Sequence, residues 1–266
     1  MGVLNITPDS FSDGGKFLSP ENALAQAERM IAEGADIIDV GGESSRPGAA
    51  PVTQEEELKR IVPIIDALRK NSSLIISVDT QKSEVAEECL RHGVNMINDI
   101  TGLRDPALRN VVAKYKVPVV IMHMQGDPQT MQNHPTYHNV IEEIKSFFQE
   151  QIEKAETAGI ERKNIILDPG IGFGKTTEHN LLILKHLDEF TKLNFPILVG
   201  TSRKGFIGAI TGLPVDQRLE GTLASIAIAV FNGASIVRVH DVKEAKRTVQ
   251  IAEVIKTAGE NSISPA

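Results

Sequence analysis

The sequence is poor in three features that would each point to a particular class of protein. It contains one cysteine, Cys89, which rules out an internal disulfide and a thiolate metal cluster and leads us to expect the reducing cytoplasm. It contains no run of basic residues, and its 35 acidic and 28 basic residues give a formal net charge of −7. Because nucleic acids and anionic membrane surfaces attract a dominant positive field, neither is expected as the main partner.

Long hydrophobic runs are also missing. The longest apolar runs, such as 224–231, are far shorter than the roughly 20 residues that cross a bilayer. The amino-terminal segment has no basic region and soon reaches Asp9 and Asp13, which is not typical of a secretory signal. The sequence therefore predicts a protein that is neither exported nor embedded in a membrane.

Short apolar or β-branched segments recur along the chain, with amphipathic helical patterns between them. Eight such segments read as strands: 2–7, 35–41, 74–79, 95–100, 117–124, 164–170, 195–202 and 235–241. The clearest helical patterns lie at 22–34, 55–70, 137–159 and 219–233. Repeated βα units indicate a parallel sheet of the α/β class, and eight of them predict a closed (β/α)8 TIM barrel. We expect a single domain over residues 1–258 and a frayed tail at 259–266.

Polar side chains stand where several of the predicted strands end. Asp79, Asn98 and Asp168 occupy such positions, and Lys204 follows another strand. TIM barrels build their sites at this carboxyl-terminal face, and a buried carboxylate needs either a cationic neighbour or a ligand with N–H donors. One such aspartate could be structural, but the set favours a site for a polar heterocycle.

Positive groups follow the last two predicted strands, in GTSRKG (200–205) and RVHD (238–241). Loops at this point of a TIM barrel often bind phosphate, so Arg238 and His240 are candidates for an anion site. Arg203 could equally form a surface salt bridge, and the role of His123 is left open. The spacing of the histidines does not suit zinc, so if the protein binds a metal, a hard cation held by oxygens and a phosphate ligand is the one to expect.

The segment PGIGFGKT (169–176) is rich in glycine but matches neither of the common nucleotide-binding patterns. Pro169 stands where a Walker A motif needs glycine, and Lys175 stands at the last glycine of the dinucleotide pattern. Two interpretations stay open for the glycines at 170, 172 and 174. They could let a flat or anionic ligand approach the backbone, or they could only form a tight turn between strand and helix.

Taken together, these segments resemble the dihydropteroate synthase family over residues 1 to about 256. The resemblance is carried by LNITPDSFSDGG (4–15), GGESSRPGA (41–49), SVDT (77–80), INDI (97–100), LDPGIGFGK (167–175), GTSRKGF (200–206) and RVHD (238–241). It implies a homodimeric TIM barrel of the folate pathway that joins a hydroxymethyl-dihydropterin diphosphate to p-aminobenzoate, with Mg2+ acting on the diphosphate.

The resemblance also implies roles for individual residues. The pterin pocket is implied to hold Asp79, Asn98, Asp168 and Lys204, with Met122 and Phe173 as its apolar walls. The diphosphate site is implied to hold Asn5, Arg238 and His240, with Asn5 also binding the metal. The p-aminobenzoate site is implied to hold Phe11, Ser45, Arg46, Pro47 and Ser202, with Ser45 where many members have threonine. Catalysis is implied for Lys204, Asp168, Arg238 and His240.

Two other functions are compatible with parts of this pattern. A pterin-binding methyltransferase domain of the corrinoid type shares the barrel and the Asp/Asn contacts, but it has no diphosphate to account for TSRK, RVHD and SSRPG. A pterin-binding protein without activity would bind the pterin and release no diphosphate.

Overall fold

Eight parallel strands close into a barrel in a computed structural model that describes residues 1–7, 20–44, 50–128 and 130–259. The strands are β1 (Gly2–Asn5), β2 (Ile37–Gly41), β3 (Ile75–Asp79), β4 (Met96–Asp99), β5 (Val119–Met122), β6 (Ile165–Asp168), β7 (Leu198–Val199) and β8 (Ile236–Val237). β1 to β6 pair in sequence order, and β7 pairs with β8. Bridges between Gly2 and Val239 and between Leu167 and Ile197 join the two sheets. The predicted TIM barrel is confirmed, and each predicted strand segment contains one strand.

Helices follow the strands and surround the barrel. In the described part of the chain they are α1 (Pro20–Ala32), α2 (Gln54–Asn71), α3 (Ser83–Arg91), α4 (Pro106–Tyr115), α5 (Val140–Thr157), α6 (Thr177–Lys185), α7 (Asp188–Thr191), α8 (Gly205–Thr211), α9 (Leu219–Phe231) and α10 (Val242–Lys256). Several starts are fixed by side-chain caps: Thr53 accepts the N–H of Glu56, and Asn139 accepts that of Ile141. The four helical patterns of the sequence correspond to α1, α2, α5 and α9.

The two strands that complete the barrel are shorter than the sequence predicts. β7 and β8 have two residues each, whereas segments 195–202 and 235–241 were expected to be extended throughout. Pro196 has no N–H to donate to a ladder. Towards the other end, Ser202 and His240 bond to each other through their side chains. The barrel is therefore joined at β7 and β8 by few backbone hydrogen bonds.

The core has one layer outside the strands and another inside the barrel. The outer layer packs strand residues such as Ile38, Ile97 and Leu167 against the helices. The inner layer is a separate apolar cluster, which we call the floor, and consists of Met1, Met96, Val120, Ile166 and Leu198. Because side chains alternate along a strand, the residues two positions beyond the floor residues also point inward, one level nearer the carboxyl ends of the strands. This level includes Asn98, Met122 and Asp168.

None of the helices in the described ranges combines the length and the apolar character that a membrane crossing requires.

Candidate active site

Four neighbouring strands place one residue each in a single row at the barrel mouth. Asn5, Gly41, Asp79 and Asn98 are successive register partners on β1 to β4. The side chain of Asn98 is buried. Burial raises the pKa of Asp79, and the positive charge of the Arg238 guanidinium opposes that rise. The structure therefore brings together Asp79 and Asn98, which the strand-end pattern indicated, and Asn5, which the family resemblance implied.

Asp168 lies at the end of β6, on the far side of the barrel interior from this row. Its carboxylate is buried, and Oδ1 accepts the backbone N–H of Gly170 at 2.7 Å. Burial raises the pKa of Asp168 to about 6, although the Gly170 N–H and the charge of Lys204 favour the ionised form. At neutral pH the group is mainly a carboxylate that can accept further N–H donors.

An apolar wall stands beside this carboxylate. Met122 packs in a cluster with Ile100, Met124 and Met131, and Phe173 packs against that cluster. The ammonium Nζ of Lys204 lies 4.0 Å from the centre of the Phe173 ring, and burial lowers the pKa of Lys204 to about 8. Apolar side chains next to a carboxylate, an amide and an ammonium suit a flat heterocycle with a polar edge.

The glycines of PGIGFGKT pack against the chain itself. Gly170 and Gly174 both have positive φ, +70° and +60°. A Cβ on Gly170 would overlap the carbonyl oxygen of His123, and one on Gly174 would lie 2.5 Å from that of Gln125. The geometry therefore supports the tight turn between β6 and α6, which folds Phe173 back over the barrel mouth.

Lys175 is a residue of this turn whose role the sequence analysis missed. It is buried, and its Nζ lies 3.0 Å from Nδ1 of His123 and 2.9 Å from the carbonyl oxygen of Phe173. Burial lowers the pKa of Lys175 to about 7. Burial and the Lys175 charge lower the pKa of His123 to about 2, so the imidazole is neutral. The pair ties the end of β5 to the turn that carries Phe173.

Arg238 is less available to an anion than the sequence suggested. Its Nε donates to Oδ2 of Asp39 at 2.6 Å, and its Nη2 donates to Oδ2 of Asp79 at 2.8 Å. Two directions of the guanidinium are thus taken by carboxylates, so an anion could be bound only through the remaining part of the group. Asp39, a second residue that the sequence analysis missed, is fully buried on β2 and also accepts Nδ2 of Asn98 at 3.0 Å.

Burial and the neighbouring Arg238 lower the pKa of His240 to about 4, so its imidazole is neutral at neutral pH. Ser202 is buried, and its Oγ lies 2.9 Å from Nδ1 of His240. His240 can therefore serve as a neutral hydrogen-bonding group. Arg203 forms a two-point ion pair with Asp241, as the salt-bridge interpretation predicted.

Asn5, the predicted metal ligand, is half-buried at the end of β1. A Cβ on Gly41 would lie 3.4 Å from Oδ1 of Asn5, so the glycine leaves room beside that oxygen. Within the described ranges, histidine, cysteine and acidic side chains form no group of three or more that could hold a metal ion. One amide oxygen fits Mg2+, which keeps several waters and takes other oxygens from phosphate groups. Phe11, Ser45, Arg46 and Pro47 lie outside the described residues.

Comparison with known proteins points to one family. The family model described as pterin binding enzyme matches residues 1–240. Dihydropteroate synthase of Escherichia coli strain K12 is 48% identical over 261 residues, which cover 98% of this chain and 93% of that protein. The Yersinia pestis dihydropteroate synthase, solved with a sulfonamide drug complex, has a TM-score of 0.93 and 46% identity over 97% of this chain and 94% of its own. The Xanthomonas albilineans enzyme, solved with 7,8-dihydropteroate, has a TM-score of 0.87 and 40% identity, with coverage of 97% and 93%.

Proposed function

The chain belongs to the pterin-binding enzyme family, and on that premise we propose how its residues divide the work of a dihydropteroate synthase. The protein is a transferase of folate synthesis. It condenses 6-hydroxymethyl-7,8-dihydropterin diphosphate with p-aminobenzoate and releases 7,8-dihydropteroate and diphosphate.

The observation that carries the assignment of the site is the buried carboxylate of Asp168 facing the row of Asp79 and Asn98. A pterin presents an amino group and ring N–H groups along one edge, and an ionised carboxylate accepts two such donors in parallel. We assign that contact to Asp168 and a further polar edge of the ring to Asp79 and Asn98. Lys204 reaches the ring from the segment between β7 and α8, and Met122 and Phe173 cover the faces of the ring.

The reaction exchanges one bond at the pterin methylene for another. The amine nitrogen of p-aminobenzoate forms the new C–N bond, and the C–O bond to diphosphate breaks with its electron pair on the leaving oxygen. The amine gives up a proton to the departing diphosphate or to water. Positive charge develops on the pterin as the C–O bond lengthens, and the carboxylates of Asp168 and Asp79 stabilise it. A neutral aryl amine is a competent nucleophile, so positioning supplies much of the rate.

The groups available to bind the leaving diphosphate are the neutral imidazole of His240 and the guanidinium of Arg238, whose charge is partly neutralised by Asp39 and Asp79. Nη1 of Arg238 takes part in neither of the ion pairs described above, and His240 offers a ring N–H. Mg2+, when bound, would neutralise charge on the diphosphate. We propose Asn5 as its protein ligand, because the amide oxygen stands at the barrel mouth beside the space that Gly41 leaves.

We assign p-aminobenzoate, and the sulfonamides that imitate it, to Phe11, Ser45, Arg46, Pro47 and Ser202. Ser202 lies next to His240, which would place the amine close to the departing diphosphate. The proposal for the other four residues rests on the family motif alone.

We further propose that the enzyme is a homodimer. α9 and α10 pack against each other and leave large apolar side chains exposed on their outer sides: Ile228, Phe231, Ile251, Val254 and Ile255. The exposed fractions of Phe231 and Ile251 are 54% and 64%. An apolar face of this kind favours association, and a second copy of the chain would cover it. The single cysteine, buried in α3, fits a cytoplasmic location.

A diphosphate-release assay tests the function. The purified protein with Mg2+ and the pterin diphosphate is expected to release diphosphate rapidly only when p-aminobenzoate is present. Release that does not depend on p-aminobenzoate would contradict a synthase. Pterin binding without release would favour the non-catalytic binding protein, and methyl transfer to a corrinoid would favour the methyltransferase.

A further inference from the structure

A fully buried carboxylate lies beneath the row of polar residues at the barrel mouth. Asp39 belongs to β2, two positions before Gly41, and its exposed fraction is 0%. Side chains two positions apart on a strand share a side, so Asp39 points into the barrel one level below the row. A charge at this depth is strongly unfavourable unless it is paired.

One oxygen of Asp39 serves two residues of the site. Oδ2 accepts Nε of Arg238 at 2.6 Å and Nδ2 of Asn98 at 3.0 Å. Arg238 directly follows β8 and Asn98 belongs to β4, so a single carboxylate links opposite sides of the barrel mouth. Arg238 extends the network through Nη2 to Asp79.

The contact also fixes which way the Asn98 amide faces. An ionised carboxylate only accepts hydrogen bonds, so Asn98 must turn its NH2 group toward Asp39. The amide oxygen Oδ1 is thereby directed away from Asp39 and presents an acceptor to the pocket. Asp79 and Asp168 are acceptors as well, so these three side chains all present acceptors to the ligand, and Lys204 supplies a donor.

We propose, on the basis of the proposed function, that Asp39 is a positioning residue that prepares the site for a ligand edge made of hydrogen-bond donors. It holds Asn98 with its oxygen toward the pterin and holds Arg238 so that Nη1 remains for the diphosphate. Asp39 itself does not touch the substrate.

The first test replaces Asp39 by its isosteric amide. In Asp39→Asn the new side chain has both a donor and an acceptor, so Asn98 is free to turn over and Arg238 loses a charged partner. We expect the KM for the pterin diphosphate to rise at least about tenfold. A mutation that does not touch the substrate can still shift a binding group by about 1 Å, and a shift of that size can change rates about a hundredfold. The KM for p-aminobenzoate should stay within about twofold of the parent value.

Asp36→Asn provides the matched control. Asp36 lies three positions earlier, is exposed, and pairs with Lys246 on the outside of the barrel. Its amide variant should keep both KM values of the parent. An Asp39→Asn enzyme with parental KM for the pterin diphosphate and only a lower melting temperature would overturn the proposal, because that result describes a purely structural carboxylate.

A second pair of variants compares the two side chains at position 39 in the absence of the guanidinium. Arg238→Gln keeps the Asp39 carboxylate with Asn98 as its remaining partner, and Asp39→Asn/Arg238→Gln replaces that carboxylate by an amide. Calorimetry with 6-hydroxymethylpterin, which has no diphosphate, should show at least about tenfold weaker binding to the double variant. Equal affinities would overturn the proposal even if the single Asp39→Asn variant did not fold.

The two proposals fail in different ways. A parent protein that releases no diphosphate from its substrates contradicts the proposed function. The calorimetric comparison needs no turnover, so it tests the role of Asp39 whatever the outcome of that assay.

Discussion

Lys204 Nζ lies 4.0 Å from the centre of the Phe173 ring, and the stem of the same lysine passes Gly172, where a Cβ would come within 3.1 Å of its Cδ. The turn between β6 and α6 thus both makes room for the lysine and offers a ring face to its charge. A cation held this way keeps its N–H donors for a ligand. The turn and the lysine act as one unit of the site.

Lys204→Ala is expected to lower kcat/KM for the pterin diphosphate by about ten- to a hundredfold, or about 1.5 to 3 kcal/mol, because a charge-assisted contact is lost. Lys204→Arg should also be poor, since a planar guanidinium does not replace a point charge in a fitted pocket. Steady-state kinetics measure both. Lys192→Ala, at an exposed position on the outside of the barrel, should behave as the parent. Parental kinetics in a folded Lys204→Ala enzyme would contradict the assignment.

The pH dependence of kcat/KM for the pterin diphosphate should be bell-shaped. The pKa of Asp168 is raised to about 6, that of Asp79 is also raised by burial, and that of Lys204 is lowered to about 8. Activity should rise with pH as Asp168 and Asp79 ionise and fall as Lys204 loses its proton. In Lys204→Gln the fall near pH 8 should disappear at a lower overall rate. If the fall persists unchanged in that variant, another group is responsible for it.

Stability should fall at acid pH because of His123. Its pKa is about 2 in the folded protein and the ordinary value is 6.5, so between these values the unfolded chain binds one more proton than the folded one. Above pH 6.5 His123 is neutral in both the folded and the unfolded chain, so it does not lower the free energy of unfolding. Below pH 6.5 only the unfolded chain gains the proton, so the free energy of unfolding falls as the pH falls. Between pH 8 and pH 5 this residue should account for about 2 kcal/mol of unfolding free energy.

Urea titrations of the parent and of His123→Gln measure that contribution as the difference between their pH slopes. The exposed His138 offers the control, and His138→Gln should keep the parental slope. An identical slope in His123→Gln would mean that the imidazole is not held neutral by burial against Lys175.

Mg2+ should bind weakly to the free enzyme and more tightly once inorganic diphosphate is present. Asn5 offers one amide oxygen, which is too few ligands for a tight cage, and diphosphate supplies the rest. Isothermal calorimetry with and without diphosphate measures the difference, and Asn5→Ala should abolish it. Tight Mg2+ binding to the free protein would assign Asn5 another role.

A charged residue introduced on the outer side of α9 should dissociate the proposed dimer into monomers. Phe231→Asp is expected to give a folded monomer by analytical ultracentrifugation, because it places a carboxylate in the apolar interface we propose. Leu181→Asp, at an exposed position on α6, should leave the association unchanged. A parent protein that sediments as a monomer at micromolar concentration would refute the dimer directly.

The barrel was predictable because parallel strands are buried on both faces and appear as short apolar runs. Each of the eight runs contains a strand, but β7 and β8 are shorter than predicted. Pro196, which the sequence does show, lies just before β7. The contact between Ser202 and His240 joins the segments that follow the neighbouring strands β7 and β8, and a local pattern does not contain it.

The site was predictable where it lies at strand ends and was missed where it lies deeper. Asp79, Asn98 and Asp168 follow apolar runs, and the fold gathers such ends at one face. Asp39 sits inside the apolar segment 35–41, and its partner Arg238 is 199 positions away. The available signal was an acidic residue at an inward position of a buried strand. The neutrality of His240 depends on burial, which spacing does not reveal.

The division of the barrel into two hydrogen-bonded sheets also divides the charges of the site. The carboxylates Asp39, Asp79 and Asp168 belong to the six-stranded sheet, whereas Lys204 and Arg238 follow the strands of the β7–β8 pair. Opening the barrel where these sheets meet would separate opposite charges inside a poorly polarisable interior, so it is opposed electrostatically as well as by backbone bonds. A substrate that contacts both the carboxylates of the six-stranded sheet and the cations that follow β7 and β8 holds the two sheets together. Its binding free energy therefore adds to the stability of the closed barrel. Occupancy of the site and integrity of the barrel are thus linked equilibria.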